Sequence, residues 1–346
     1  MSVSPVNRRI VLAARPKGTV TRECFRLESA PLREPGPGEV LLRTVWLSLD
    51  PYMRGRMSDA PSYAAPVAIG GVMTGQTVAR VVRSGHPDWQ PGDWVLAGSG
   101  WQEYEVTSPK HLERLPPALE RPSLALGVLG MPGFTAYMGL KEIGRPQNGE
   151  TLVVAAATGA VGSVVGQLGR LEGCRVVGIA GGPGKCDYAV RELGYDACID
   201  HRAAGLPERL REACPRGIDV YFENVGGPVL RAVMPLLNTH ARVPVCGLIS
   251  QYNETAPSES MGSVAALMRT VLVKRLTMRG FIITDFADRR AEYIEAMSAL
   301  VRGGRVRYRE DIVRGLEQAP DAFIGLLEGR NFGKLLIEVS ASGADA

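Results

Sequence analysis

The segment Thr151–Gly169 leaves few folds open to this chain. An apolar run, Thr151–Ala156, reads as a buried strand. It is followed by Ala157-Thr158-Gly159-Ala160-Val161-Gly162, and Ser163–Leu171 then continues at helical spacing until Gly173 stops it. A strand, an A-x-G-x-x-G turn and a helix, in that order, make the phosphate turn of a doubly wound parallel sheet. Gly159 lets backbone approach a pyrophosphate, and Gly162 lets the helix sit close to the strand. The helix N-terminus offers free N–H groups and a positive dipole end.

A second strand, Arg175–Ile179, follows at the right distance. About 20 residues beyond the glycines, an NAD site places an Asp or Glu for the ribose 2′-hydroxyl. This chain has Ala180-Gly181-Gly182-Pro183-Gly184-Lys185 there, read as a turn. The turn carries no acid to repel a 2′-phosphate, its glycines leave room for one, and Lys185 supplies a cation, so the expected cofactor is NADP. The plainer alternative for Lys185 is a solvated loop lysine.

At 346 residues the chain is long enough for two domains. A charged content of 22% and an apolar content of 45% suit a globular protein, and a net charge of +4 is too small to imply nucleic acid. The uncharged stretch Thr151–Gly169 holds four glycines together with Thr, Ser and Gln, which argues against a membrane span. Ile10–Ala14 is too short an apolar run for a signal peptide, so a cytoplasmic location is expected. Six scattered cysteines without a C-x-x-C pair, and four histidines without ligand spacing, give no metal site.

Residues 1–126 are rich in Pro, Gly and short β-like runs (Val40–Leu47, Thr77–Val82, Trp94–Ala97, Glu103–Val106), which describes a small, mainly β domain. Residues 127–304 alternate strands with helices. Later strands are expected at Ala197–Ile199, Val220–Glu223, Arg242–Cys246 and Met278–Ile283, and helices at Val229–Leu237, Gly262–Lys274 and Arg289–Val301. Residues 305–346 read as strand, helix (Leu316–Leu327) and strand (Lys334–Val339), too little to fold alone, and so are expected to return to the β domain. Ser340–Ala346 reads as a disordered end.

Several strings narrow the reading: Asp50–Met57 (DPYMRGRM), Gly130–Tyr137 (GMPGFTAY), Glu223–Gly227 (ENVGG), Cys246–Asn253 (CGLISQYN) and Asn331–Lys334 (NFGK). Over nearly its whole length the chain resembles the zinc-independent branch of the medium-chain dehydrogenase/reductases, which includes prostaglandin reductases, plant alkenal double-bond reductases and bacterial curcumin reductase. Zinc-using relatives carry a Cys and a Gly-His-Glu where this chain has Leu47–Asp50 and Gly70-Gly71-Val72. The resemblance implies an α/β fold, a Rossmann-type doubly wound sheet plus a chaperonin-10-like (GroES-like) β domain. It also implies NADPH-dependent reduction of a C=C bond conjugated to a carbonyl, in a homodimer, with no nucleic-acid or membrane partner. Carried over by position, Lys185 meets the 2′-phosphate, and Asn224 and Asn331 hold the cofactor. Cys246, Gly247, Ile249, Ser250 and Tyr252, with Phe281, Ile282 and Ile283, line it. Met131, Thr135, Thr158, Gly159, Ala160, Val161, Gly162 and Gly181 complete the expected cofactor set. One departure concerns an Asp-Tyr-Lys string of the family, which here is Asp200-His201-Arg202; His201 takes the place of the tyrosine near the 2′-phosphate, and Arg202 adds a charge.

Reducing an enone needs hydride at the β-carbon and a donor at the carbonyl oxygen, where negative charge grows. A phenol, with a reference pKa of about 10, stays protonated at neutral pH and meets that need. Tyr252, just past an expected strand, is the candidate catalytic donor; its alternative is a packing aromatic. Tyr52 and Tyr63 match family tyrosines facing substrate. Arg54 and Arg56 are weighed as a grip for a carboxylate, against ordinary surface arginines, and Met131, Met261 and Met268 as pocket lining, against core methionines. The competing functions are quinone reduction on the same fold and, in a different class, a non-enzymatic RNA-binding role, which the small net charge and the lack of a basic stripe oppose.

Overall fold

The computed structural model describes residues 6–116, 119, 121–254 and 264–341. Two compact units emerge. One comprises the chain up to Leu126, Glu310–Asn331 and the stretch from Leu335; the other comprises Gly127–Arg309 with Phe332–Lys334.

The first unit begins with β1 (Val6–Leu12) paired antiparallel to β2 (Phe25–Pro31). β3 (Val40–Ser48), the short helix α1 (Met53–Arg56), β4 (Thr77–Ser84), β5 (Trp94–Ala97), β6 (Tyr104–Thr107) and β7 (Glu113–Arg114) follow.

The second unit runs α2 (Met131–Met138), β8 (Thr151–Ala155), α3 (Gly162–Leu171), β9 (Arg175–Ala180), α4 (Pro183–Arg191), β10 (Ala197–Asp200), α5 (Leu206–Ala213), β11 (Ile218–Phe222), α6 (Gly227–Val233), β12 (Leu237–Val245), α7 (Val264–Lys274), β13 (Thr277–Gly280) and α8 (Arg290–Arg302). Its six strands pair in the order β10-β9-β8-β11-β12-β13, every pair parallel. The chain therefore starts in mid-sheet at β8, winds outward to β10, then returns to the other side at β11. The gap between the ends of β8 and β11 is the topological switch point, where ligands of such sheets bind. All five residues of β8 are buried, as expected of a strand covered by helices on both faces. Val153, Ile179, Tyr221 and Val243 from four neighbouring strands form one apolar cluster.

The chain then returns to the first unit through β14 (Glu310–Arg314), α9 (Ala319–Leu327) and β15 (Lys334–Glu338), extending an antiparallel sheet of order β14-β15-β3-β4-β5-β7, with β6 also on β3. α9 places Phe323 edge-on to Trp101 at 5.7 Å, and Trp101 stacks on Phe25 at 5.4 Å; all three rings are buried. Burying each ring contributes about 2 kcal/mol, so the returning helix completes a core that the N-terminal strands leave open.

Three expectations need correction. The Gly181–Lys185 turn is shorter than read: Pro183 starts α4, as proline does at the first helical position, and Lys185 stands in its first turn. β13 ends at Gly280, so Phe281–Ile283 lie beyond the strand. The helix expected over Val229–Leu237 ends at Val233, and Leu237 opens β12. The expected Met261, the Gly262 start of its helix and most of the Ser340–Ala346 tail lie outside the described residues.

Candidate active site

The phosphate turn is built on close approach. Ala156 leaves β8 at a φ of +52°, in the left-handed region, at a cost of about 1–2 kcal/mol for a residue with a Cβ. That bend brings the Gly159 N–H to the Ala156 carbonyl at 2.9 Å. A Cβ on Gly162 would run into the same carbonyl and lie 3.1 Å from Ala157 Cα, and one on Gly166 would fall inside the Tyr195 ring. Helix α3 thus presents bare backbone to what lies beneath it. Tyr195, only 2% exposed, directs its hydroxyl at the carbonyls of Gly162 (2.8 Å) and Ala157 (3.3 Å). It braces both ends of the turn from below, and burial raises its pKa well above the usual phenol range, keeping the hydroxyl a donor.

Beyond the next strand, β9, the chemistry changes from backbone to charge. A Cβ on Gly181 would lie 3.0 Å from His201 Nε2 and 3.0 Å from Arg202 Nε, so both side chains lean over this glycine. His201 titrates below the usual imidazole range, first from desolvation and then from the nearby charges of Arg202 and Lys185. Three basic side chains therefore share one small region. Lys185 also stands at the positive end of α4, an arrangement disfavoured by a few tenths of a kcal/mol unless an anion offsets it. The neighbouring acid, Asp200, accepts from the N–H groups of Gly182 (2.8 Å) and Arg202 (2.9 Å), and these bonds hold its carboxyl below the usual range. Asp200 thus fastens the two loops to each other. A cavity of about 510 Å³ opens alongside between α5 and α6, walled by Leu206, Pro207, Pro228 and Arg231, and His201 is the one expected residue on it.

At the switch point, Asn224 Nδ2 donates to the carbonyl of Ala155 at 2.8 Å, tying the end of β11 to the end of β8. Glu223 Oε1 accepts from the N–H groups of Val225 (2.6 Å) and Gly226 (2.8 Å), while its backbone carbonyl accepts from Cys246 (2.9 Å) and Gly247 (3.2 Å). Ser250 Oγ donates to the Val225 carbonyl at 2.6 Å. The two loops expected to line a cofactor, 223–227 and 246–252, are thus laced together. Burial raises the Glu223 carboxyl above its usual range, and burial followed by the Glu223 charge pushes the Cys246 thiol up to about 12. Tyr252 folds back so that its hydroxyl accepts the Leu248 N–H at 3.4 Å, 3.2 Å from where a Gly247 Cβ would stand.

The remaining expected residues divide. Thr158 is buried in the turn, and Ala160 and Val161 are half-buried there. Met131 opens α2 half-buried, while the Thr135 hydroxyl donates to the Met131 carbonyl at 2.8 Å, inside its own helix. The Phe281 ring turns into the core, where it and Phe222 fill the space left by Gly139, and Ile282 and Ile283 are half-buried beside it. Tyr52, Tyr63 and Asn331 belong to the first unit. There, Tyr63 is 60% exposed beneath the Arg56 guanidinium, 4.3 Å from its ring centroid. Arg54 and Arg56 are buried and donate to the carbonyls of Gly18 and Ala64, which is anchoring and corrects the idea of a carboxylate grip. Met268 is exposed on α7. Sequence reasoning missed Tyr195 and Glu223; the only linear signal for either was the tyrosine and the acid next to glycine-rich turns.

Residues 8–115 match the family model described as N-terminal domain of oxidoreductase, and residues 160–302 match that described as zinc-binding dehydrogenase. For all that name, among the described residues no three His, Cys, Asp or Glu side chains gather where they could hold a metal. The chain is 59% identical over 335 residues to the NADPH-dependent curcumin reductase of Escherichia coli K12, covering 96% of this chain and 97% of that one. It is 41% identical over 308 residues to the NADP(+)-dependent 2-alkenal reductase of Nicotiana tabacum, covering 88% of each. The crystal structure of CurA in complex with NADPH from Vibrio vulnificus superposes with a TM-score of 0.94 at 56% identity, covering 96% of this chain and 99% of that one. With matches across both units, the chain belongs to the zinc-independent medium-chain dehydrogenase/reductases of the curcumin and alkenal reductase type.

Proposed function

We propose that this chain reduces the C=C bond of α,β-unsaturated ketones and aldehydes, with hydride arriving at the β-carbon. It is an NADP-dependent oxidoreductase acting on activated double bonds. The observation that carries the cofactor is the leaning of His201 and Arg202 over Gly181, with the Lys185 charge close enough to act on His201, a basic setting for a 2′-phosphate. Gly159, Ala160, Val161 and Gly162 would meet the pyrophosphate, and the laced 223–227 and 246–252 loops would hold the nicotinamide end. NADPH, when bound, supplies the hydride.

The protein's own task is the oxygen. The Tyr252 hydroxyl accepts the Leu248 N–H, and accepting a hydrogen bond polarises the phenol and makes it a better donor. In our reading it stabilises the enolate oxygen as charge grows. Tyr52, whose pKa is raised by burial and then by Asp50, keeps its proton, and we propose that Tyr52 and Tyr63, both of the first unit, face substrate. The test is NADPH consumption with a panel of short alkenals, long enones and diarylheptanoids, with NADH and a quinone as controls. Turnover of enones with NADPH and little with NADH is expected; a quinone preference, or equal use of NADH, overturns the assignment.

We also infer a homodimer. Among the described residues β13 closes one edge of the parallel sheet, and α7 exposes Val264, Met268, Leu272 and Val273, each more than half exposed. An open strand edge beside an apolar helix face suits pairing with a second copy. Light scattering should give twice the chain mass, and Leu272→Asp should lower it toward one chain. No described helix is long and apolar enough to cross a membrane.

A further inference from the structure

Arg309 has an unusual setting. Its guanidinium lies 4.0 Å from the Phe332 ring centroid and 5.8 Å from that of Tyr188, and those rings meet edge-on at 4.9 Å. Among the described residues it makes no ion pair. Two positions earlier, Arg307 pairs with Glu192 at 2.8 Å. Arginine stacked on aromatic faces is pre-positioned at little entropic cost, because its planar head is already held. An exposed cation fixed in this way with no carboxylate partner is placed for an anion from outside the chain.

The backbone says where. Gln167 of α3 clasps Arg307, donating to its carbonyl at 2.8 Å and accepting its N–H at 2.7 Å, so the segment is bound to the helix that carries the phosphate turn. Lys334 N–H donates to the Arg309 carbonyl at 2.9 Å, and a Cβ on Gly333 would lie 3.0 Å from Arg309 Cβ. Gly333 in turn forms a parallel bridge with Gly159 of the turn itself. Arg309 therefore stands about two strand spacings, roughly 10 Å, from Gly159, within the length of an arginine side chain and one hydrogen-bonded phosphate. On its other flank, Tyr188 is one helical turn along α4 from Lys185. The Arg309 backbone thus borders the pyrophosphate turn through Gly333, while its guanidinium rests on Phe332 and on Tyr188 of α4.

We propose that Arg309, pinned by Phe332 and Tyr188, binds the pyrophosphate of the dinucleotide, the part that NADP and NAD share. This rests on the NADP reading above and adds a division of labour: Lys185, His201 and Arg202 read the 2′-phosphate, and Arg309 reads the pyrophosphate without distinguishing the two cofactors. The arginine is exposed, so its replacement leaves the fold intact. The test is calorimetric titration of the full chain with NADP+, NAD+ and adenosine 2′-monophosphate, which carries the 2′-phosphate and no pyrophosphate. Arg309→Ala should weaken NADP+ and NAD+ alike, by about tenfold, and leave adenosine 2′-monophosphate unchanged. Phe332→Leu, which keeps the cation and removes its rest, should weaken both dinucleotides about threefold. Lys185→Ala should weaken NADP+ and adenosine 2′-monophosphate and spare NAD+. NADP+ affinity within twofold of wild type in Arg309→Ala overturns the proposal, as does a loss of adenosine 2′-monophosphate binding in that variant; in both cases the Lys185 pattern leaves the NADP reading standing. A wild-type chain that binds NAD+ as well as NADP+ overturns the NADP reading while the Arg309 result still decides the pyrophosphate.

Discussion

In the proposed site, the turn after β8 and the rim after β9 would receive phosphates by opposite means. At the turn, specificity comes from atoms that are absent: Gly162 and Gly166 have no side chains, so helix and strand close to a distance no Cβ would permit. At the rim it comes from atoms that are present: His201 and Arg202, at the surface, lean on one glycine, and Lys185, half-buried, adds its charge nearby. The first design is rigid and, apart from the Arg309 charge proposed at its border, made of backbone that does not titrate. The second is screened by salt and changes with protonation. A site of this kind separates holding a dinucleotide from choosing which one.

The comparison breaks most violently at Gly166. Gly166→Ala puts a methyl into the Tyr195 ring, and we expect a loss of about 3 kcal/mol or more, read as a lowered urea midpoint with cofactor affinity falling alongside. A stable Gly166→Ala protein would show that α3 has slack. At the rim, Lys185→Ala should leave stability alone and remove a charge-assisted contact of about 1.5–3 kcal/mol, raising the Michaelis constant for NADPH and not for NADH. Tyr252→Phe tests the far end of the site. Its loss of turnover should be about 10²-fold or less, with cofactor affinity unchanged, because the contact is made mainly in the transition state. An unchanged single-turnover rate would return Tyr252 to packing.

Smaller effects sharpen the contrast through pH. Desolvation and then Arg202 lower the His201 pKa from its usual value, which favours the neutral ring. As pH falls through that lowered value the ring gains a charge facing the 2′-phosphate, so the NADPH Michaelis constant should fall relative to a His201→Gln variant, and the NADH constant should not. The phosphate protonates in the same range, hence the variant as reference. For folding the sign reverses: a depressed pKa stabilises above the unfolded value and that stability is lost on acidification through the folded one. The smallest expected effect is none. Exhaustive chelation should leave turnover unchanged, and metal analysis showing about one zinc per chain, with activity lost on its removal, would sink the zinc-independent mechanism.

How much could be read in advance follows the same divide. Glycine spacing and the apolar run of β8 announce the turn, because both are local: strand, turn and helix are neighbours in sequence. The start of α4 was hidden because Gly181, Gly182 and Gly184 read as loop and outweigh Pro183, although proline at a first helical position is itself a start signal. α5 was not anticipated since Leu210 alone of its residues is buried, leaving almost no apolar period to detect. Phe281 was expected to line the cofactor, yet its ring fills the void over Gly139, a direction that no spacing encodes. Tyr195 reaches the turn from 33 and 38 residues away and Arg309 from about 150, and long-range contacts leave no period. The returning C-terminal segment was legible only as a fragment too short to fold alone.

The Tyr195 brace has a thermodynamic consequence. A loop that must freeze when its ligand arrives spends part of the binding free energy on its own ordering, about 1–2 kcal/mol for each backbone residue fixed. With its hydroxyl on the carbonyls of Ala157 and Gly162, Tyr195 has frozen this loop during folding, when the surrounding core supplies the driving force. Binding at the turn should accordingly show a small entropic penalty and fast association, with the cost of order already met by the folded chain.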